Sequence, residues 1–102
     1  MNVSVLGGGS WGSAFARYLG RVGLPTRLWI RERDVYENAL KTRRNTVFLP
    51  GFVFPRNVEF SDDVLGTAAF GQVVFIAVPS GFCRAVYRRI SPVLRKDQVV
   101  VS

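Results

Sequence analysis

At 102 residues the chain is one domain at most (1–102), able to bury only a modest core, and 48% hydrophobic with 21% charged residues is the composition of a globular protein rather than a disordered one. No apolar run approaches the ~18 residues that a membrane span needs, no basic leader precedes the first apolar stretch, and a single cysteine, Cys83, with no histidine leaves neither an internal disulfide nor a transition-metal site; a reducing cytoplasm suits such a chain. The net charge of +7 raises nucleic acid as a partner, but the arginines are scattered and adjacent only at Arg43-Arg44 and Arg88-Arg89, so a solvated basic surface without a nucleic-acid role is expected.

Along the chain, strand-like and helix-like segments alternate. Val3-Ser4-Val5-Leu6 is a short apolar strand that runs into glycines. From Ser10 the period changes: Trp11, Ala14, Phe15, Tyr18, Leu19 and Val22 share one helical face, expected to be the buried one, with Arg17 and Arg21 opposite. Gly23 and Pro25 end this helix, and residues 26–30 (Thr-Arg-Leu-Trp-Ile) read as a second strand. Residues 34–44 form a second helix, with Asp34 as N-cap, Glu37 completing a capping box, and Lys41, Arg43 and Arg44 at the negative end of its dipole.

A greasy connection follows over 45–57, containing Phe48, Leu49, Phe52 and Phe54, and so apolar a loop is expected to pack onto the body of the domain. Residues 58–60 are a short strand, and Ser61-Asp62-Asp63 cap a brief helix through Ala69. Residues 72–78 are the most apolar strand, as expected for a central one covered on both faces. Pro79 stops it, Ser80 starts a helix carrying Phe82, Val86, Ile90 and Leu94 at intervals of four, Pro92 ends or bends that helix, and residues 98–101 begin a last strand. This βαβαβαβαβ order requires crossover connections, and therefore predicts an α/β doubly wound parallel sheet with helices on both faces.

The sharpest motif is Gly7-x-Gly9-x-x-Gly12, placed between the first strand and the first helix. That is the context of a Rossmann-type dinucleotide fingerprint: Gly7 for the tight turn, Gly9 for close approach of a diphosphate to bare backbone, Gly12 for close packing of helix on sheet, and the helix N-terminus as donor to the phosphates. An S-adenosylmethionine methyltransferase also carries a glycine loop here, but usually with an acidic residue at the first strand, and residues 1–6 contain none. The second strand ends in Arg31 and Glu32, with Arg31 nineteen residues beyond Gly12. An arginine at this tip suits a 2′-phosphate or stacks on adenine, whereas an acidic residue suits free ribose hydroxyls, so NADP is expected to be accepted, with NAD also possible.

The blocks Val-Leu-Gly-Gly-Gly-Ser-Trp-Gly-Ser-Ala (5–14), Arg-Leu-Trp-Ile-Arg (27–31), Arg-Asn-Thr-Val-Phe-Leu-Pro-Gly (44–51) and Ile-Ala-Val-Pro-Ser (76–80) together resemble the bacterial NAD(P)-dependent glycerol-3-phosphate dehydrogenases, over about the first third of such an enzyme. The resemblance implies that Ser10 and Trp11 line the cofactor at the helix start and that Arg31 meets its adenosine end. It also implies that Phe48, where the family usually has tyrosine, flanks the cofactor, and that Pro79 and Phe82 stand at the nicotinamide side, although Phe48 and Phe82 also fit plain core packing. It further implies interconversion of dihydroxyacetone phosphate and sn-glycerol 3-phosphate for phospholipid synthesis, a phosphorylated small-molecule substrate, and a helical second domain through which the enzyme could dimerise. The family's lysines lie in a Thr-Lys-Gly segment after the fifth strand and in that second domain; Lys41 and Lys96 fall in other elements, so no catalytic residue is expected in this chain. A ketopantoate or 6-phosphogluconate type of dehydrogenase and a non-catalytic nucleotide-binding module remain the alternatives.

Overall fold

A computed structural model describes residues 1–102. Its strands are β1 (Val3–Leu6), β2 (Thr26–Trp29), β3 (Val58–Ser61), β4 (Val73–Ile76) and β5 (Val99–Val101). Its helices are α1 (Ser10–Arg21), α2 (Arg33–Thr42), α3 (Val64–Phe70) and α4 (Ser80–Ile90), the last followed by a 3-10 turn over Ser91–Val93 at Pro92. The strands form one sheet in the order β3-β2-β1-β4-β5, and every neighbouring pair is parallel. The chain winds outward from β1 through β2 to β3, then crosses back to place β4 on the other side of β1. Rows such as Val58, Thr26, Val3, Val73 and Val99 run straight across the sheet. The reversal leaves a crevice at the carboxyl ends of β1 and β4, where doubly wound sheets take their ligands.

Side chains alternate across a strand, so β1 feeds both faces. Val3 and Val5 join a core with Ala16, Leu19, Leu28, Ile30, Val35, Ala39, Phe54, Val58 and Phe60, while Leu6 joins the opposite core with Trp29, Val64, Ala68, Val74, Ile76 and Ile90. Ser4 falls on the second face and is buried without loss: its hydroxyl donates to the Thr67 carbonyl and accepts from the Gly71 amide, tying α3 to the sheet. The strand enclosed at every residue is β1 rather than β4. Phe75 of β4 is half-buried against the first core, where the Phe15 ring of α1 meets it edge-on with ring centroids 4.7 Å apart.

The apolar stripe expected on α1 is buried only in part, at Leu19 and, half-buried, at Phe15. Trp11 and Tyr18 are 61% and 60% exposed and Val22 is exposed, whereas Gly12, Ser13, Ala16, Leu19 and Gly20 face the sheet. The reason is proximity: at Gly20 a Cβ would be 2.5 Å from the Val58 side chain, so this helix lies too near the sheet for large residues to fit between. Its end is as expected, with Gly23 at φ +94° and its amide returned to the Gly20 carbonyl.

α2 also departs from expectation at both ends. Glu32, not Asp34, is its N-cap, no side chain caps it, and Asp34 serves the dipole from the first turn. Arg33 instead pairs with Asp62 at 3.0 Å and, more loosely, Glu37 at 3.8 Å. The helix stops at Thr42 because Arg43 turns left-handed, φ 57°, and sends its guanidinium back to the carbonyls of Pro55 and Val58, over the ring of Phe60. Burial, and then the neighbouring Arg56, lower its pKa from the ordinary arginine value. The 45–57 connection packs as anticipated through Phe54, which is buried edge-on against Phe60, but Phe52 and Val53 remain exposed at its tip.

Candidate functional site

The first strand delivers the chain into the glycine turn at the crevice. Gly7 has φ +134°, and a Cβ on it would be 2.5 Å from the Ala77 carbonyl oxygen at the end of β4. Both facts exclude other residues. The turn is pinned from two sides, by the Gly7 amide to the Trp29 carbonyl at 3.1 Å and the Ala77 amide to the Leu6 carbonyl at 2.8 Å. A Cβ on Gly12 would overlap the Gly7 carbonyl, so the start of α1 folds directly onto the turn. Gly9, the N-cap of α1, is different: it has extended backbone (φ −72°, ψ −170°), and nothing in the protein lies within 4 Å of where its Cβ would be. The fold does not need glycine at position 9. A ligand approaching the backbone does, and the first-turn amides of α1, which have no partners within the helix, supply its donors.

In front of this turn is a cleft of about 380 Å³, within the usual range for small-molecule sites. Gly7, Gly8 and Gly9 form its floor, Trp29, Arg31 and Glu32 bring the end of β2, Phe48 comes from the long connection, and Val78, Pro79, Phe82 and Val86 form the β4–α4 side. Of the nine residues singled out from sequence, Gly7, Gly9, Arg31, Phe48, Pro79 and Phe82 line the cleft. Ser10, Trp11 and Gly12 lie in the first turn of α1 outside that lining, with Trp11 stacked on Phe15 at 5.2 Å.

Arg31 and Phe82 come together although the resemblance assigned them to opposite ends of a cofactor. The Arg31 guanidinium is 5.8 Å from the centre of the Phe82 ring, and Phe82, 54% exposed, is no core residue. The helical spacing of Phe82 with Val86 and Ile90 is real, but the buried side of α4 is carried by Ile90, with Val86 and Cys83 half-buried. Arg31 also reaches Glu32 at 3.8 Å with 68% of its side chain exposed, too open a pair to neutralise the mouth of the cleft. Sequence reasoning missed Arg89, a second cation lining the cleft from the third turn of α4, and Asn45, which is fully buried behind the glycine turn. Their positions follow from tertiary packing: no local pattern marks Arg89, and Asn45 lies within the 44–51 block without that block giving it a role.

A parallel doubly wound sheet with a glycine turn, a helix N-terminus and a partly apolar, partly cationic cleft at its switch point defines a dinucleotide-binding domain. The family model described as NAD-dependent glycerol-3-phosphate dehydrogenase N-terminus matches residues 2–102, and the chain belongs to that family. It is 37% identical over 102 residues to the glycerol-3-phosphate dehydrogenase (NAD(P)+) of Syntrophotalea carbinolica, covering 100% of this chain and 31% of that protein. With the enzyme of the same name from Saccharophagus degradans the identity is 39% over 100 residues, covering 98% and 28%. The crystal structure of glycerol-3-phosphate dehydrogenase from Coxiella burnetii superposes with a TM-score of 0.91 at 29% identity, over 97% of this chain and 30% of that one. The chain thus spans less than a third of the length of these relatives. No helix is long and apolar enough to cross a membrane.

Proposed function

We propose that residues 1–102 are the cofactor platform of a cytoplasmic oxidoreductase that interconverts dihydroxyacetone phosphate and sn-glycerol 3-phosphate. The observation that carries this reading is Gly9: a backbone position left bare toward the cleft, at the head of α1, where the fold itself has no use for a missing side chain. The diphosphate of NAD(P) rests there, against the amides of residues 9–12, with Ser10 and Trp11 alongside. Arg31 and Phe82 take the adenosine end together, the ring offering a stacking face and the guanidinium a partner for a 2′-phosphate. Phe48 and Pro79 close the remaining walls. Hydride transfer is the chemistry that a bound nicotinamide supplies. The residues of this chain hold and orient: neither Lys41 nor Lys96 lines the cleft, and Glu32, the carboxylate that does, stands beside Arg31 at the end given to the adenosine. The phosphorylated substrate and any homodimer contacts belong to the remainder of the protein.

Calorimetric titration of the chain with NADPH and NADH, beside assay of dihydroxyacetone phosphate reduction by the full-length protein, tests this. Binding by the chain without turnover, and turnover by the full-length protein, is the expected pair of results. A chain indifferent to both nucleotides, or a full-length protein inert toward the ketone, overturns it.

A further inference from the structure

Behind the glycine turn is a buried polar cluster whose two side chains lie within the 5–14 and 44–51 blocks but have no part in the fingerprint. Asn45 is completely enclosed, and every polar group of its side chain is used. Its Nδ2 donates to the Gly8 carbonyl at 2.8 Å and to Ser13 Oγ at 2.9 Å, while its Oδ1 accepts from the Phe48 amide at 3.0 Å. Ser13 Oγ, itself buried on the sheet-facing side of α1, donates to the same Gly8 carbonyl at 3.0 Å. Two donors from two distant elements therefore converge on one oxygen.

That oxygen belongs to the peptide joining Gly8 to Gly9. In a trans peptide the carbonyl and the following N–H point in opposite directions. Holding the Gly8 oxygen inward thus turns the Gly9 N–H the other way, away from Asn45 and Ser13. A Gly-Gly peptide has little intrinsic preference against flipping, since both residues tolerate most of the backbone map. Two hydrogen bonds on its carbonyl also polarise the unit and strengthen its N–H as a donor.

We propose that Asn45, with Ser13, is a positioning residue that locks the 8–9 peptide so that its N–H is presented to an anionic ligand. Through Oδ1 it also fixes the start of the segment bearing Phe48, so the floor and one wall of the cleft share one anchor. This deepens the dinucleotide reading and rests on it.

The test compares ADP-ribose, which carries the diphosphate, with adenosine, which does not, on the native chain, Asn45→Leu (near in size and neutral) and Ser13→Ala. Calorimetry and amide NMR provide the readouts. Asn45→Leu is expected to lose about tenfold or more in ADP-ribose affinity, roughly 1.4 kcal/mol, and Ser13→Ala a smaller factor, while adenosine affinity stays within about twofold. The Gly9 amide proton shifts on adding ADP-ribose to the native chain and loses that shift in Asn45→Leu. A folded Asn45→Leu that binds ADP-ribose like the native chain overturns the proposal, as does an equal loss for both ligands, which marks a merely structural role. If Asn45→Leu fails to fold, Ser13→Ala decides by the same comparison. Failure of the native chain to bind ADP-ribose refutes the dinucleotide reading instead, and this inference with it.

Discussion

Replacing Gly9 by alanine separates what the fold requires from what a ligand requires. The added Cβ meets no protein atom within 4 Å, and the backbone there is extended, so an L-residue fits without strain. Alanine narrows the unfolded ensemble, worth about 0.4–1 kcal/mol. It is a poorer N-cap than glycine by up to about 1 kcal/mol. The two effects oppose, so urea unfolding is expected to move by no more than about 0.5 kcal/mol. The same methyl group stands where the diphosphate meets the backbone, and NADPH and NADH affinity by calorimetry is expected to fall at least about tenfold, or ~1.4 kcal/mol. Gly7→Ala is the control with the reverse logic: at φ +134°, with the Ala77 oxygen 2.5 Å from the new Cβ, it destabilises the chain by about 1–3 kcal/mol or more. Gly9→Ala binding as the native chain does, or unfolding as Gly7→Ala does, would refute the reasoning.

Other substitutions probe the remaining walls. Arg31→Ala is expected to weaken NADPH by about tenfold while NADH changes by less than about threefold, measured in parallel titrations, because only the former presents a 2′-phosphate. Phe82→Ala removes a half-exposed ring and leaves stability within about 0.5 kcal/mol, yet weakens AMP binding by about three- to tenfold through lost stacking. Ile90→Ala does the opposite, lowering urea stability by about 2–5 kcal/mol because its side chain is wholly enclosed between α4 and the sheet. Arg43→Gly relieves a left-handed residue, a gain of about 1 kcal/mol, but removes the guanidinium bonds to the Pro55 and Val58 carbonyls, and a net loss of about 1–2 kcal/mol is expected in the same assay. Since burial and Arg56 lower a pKa that starts far above neutrality, the folded state disfavours the cation at every lower pH alike, and Arg43 adds no pH dependence to stability in the neutral range.

The parallel order and the glycine turn were legible in the sequence because both are local: a switch of period from two to 3.6, punctuated by glycine and proline, suffices. What failed was the facing of α1. Scoring large apolar residues finds Leu19 but also picks Trp11, Tyr18 and Val22, and it passes over Gly12, Ser13, Ala16 and Gly20, where what matters is the lack of bulk. The role of Asn45 was illegible for a related reason: a polar residue in an irregular connection has no period, and its value comes from Gly8 and Ser13, more than thirty residues away in sequence. The meeting of Arg31 with Phe82 likewise depends on how the ends of β2 and β4 lie across β1, which spacing along the chain does not encode.

The thin contact between α1 and the sheet makes that helix a lever. Its amides and its packing surface belong to one rigid rod, bedded on side chains of a few atoms and pressed against Val58 and Asn57 at Gly20. Thickening Ala16 by two methyl groups, less than two turns from the head of the helix, drives a wedge under the rod and swings its head away from Gly7. Affinity for a nucleotide is in this way tied to a residue the nucleotide never approaches, while the outer side, at Tyr18 and Val22, tolerates change without disturbing the alignment.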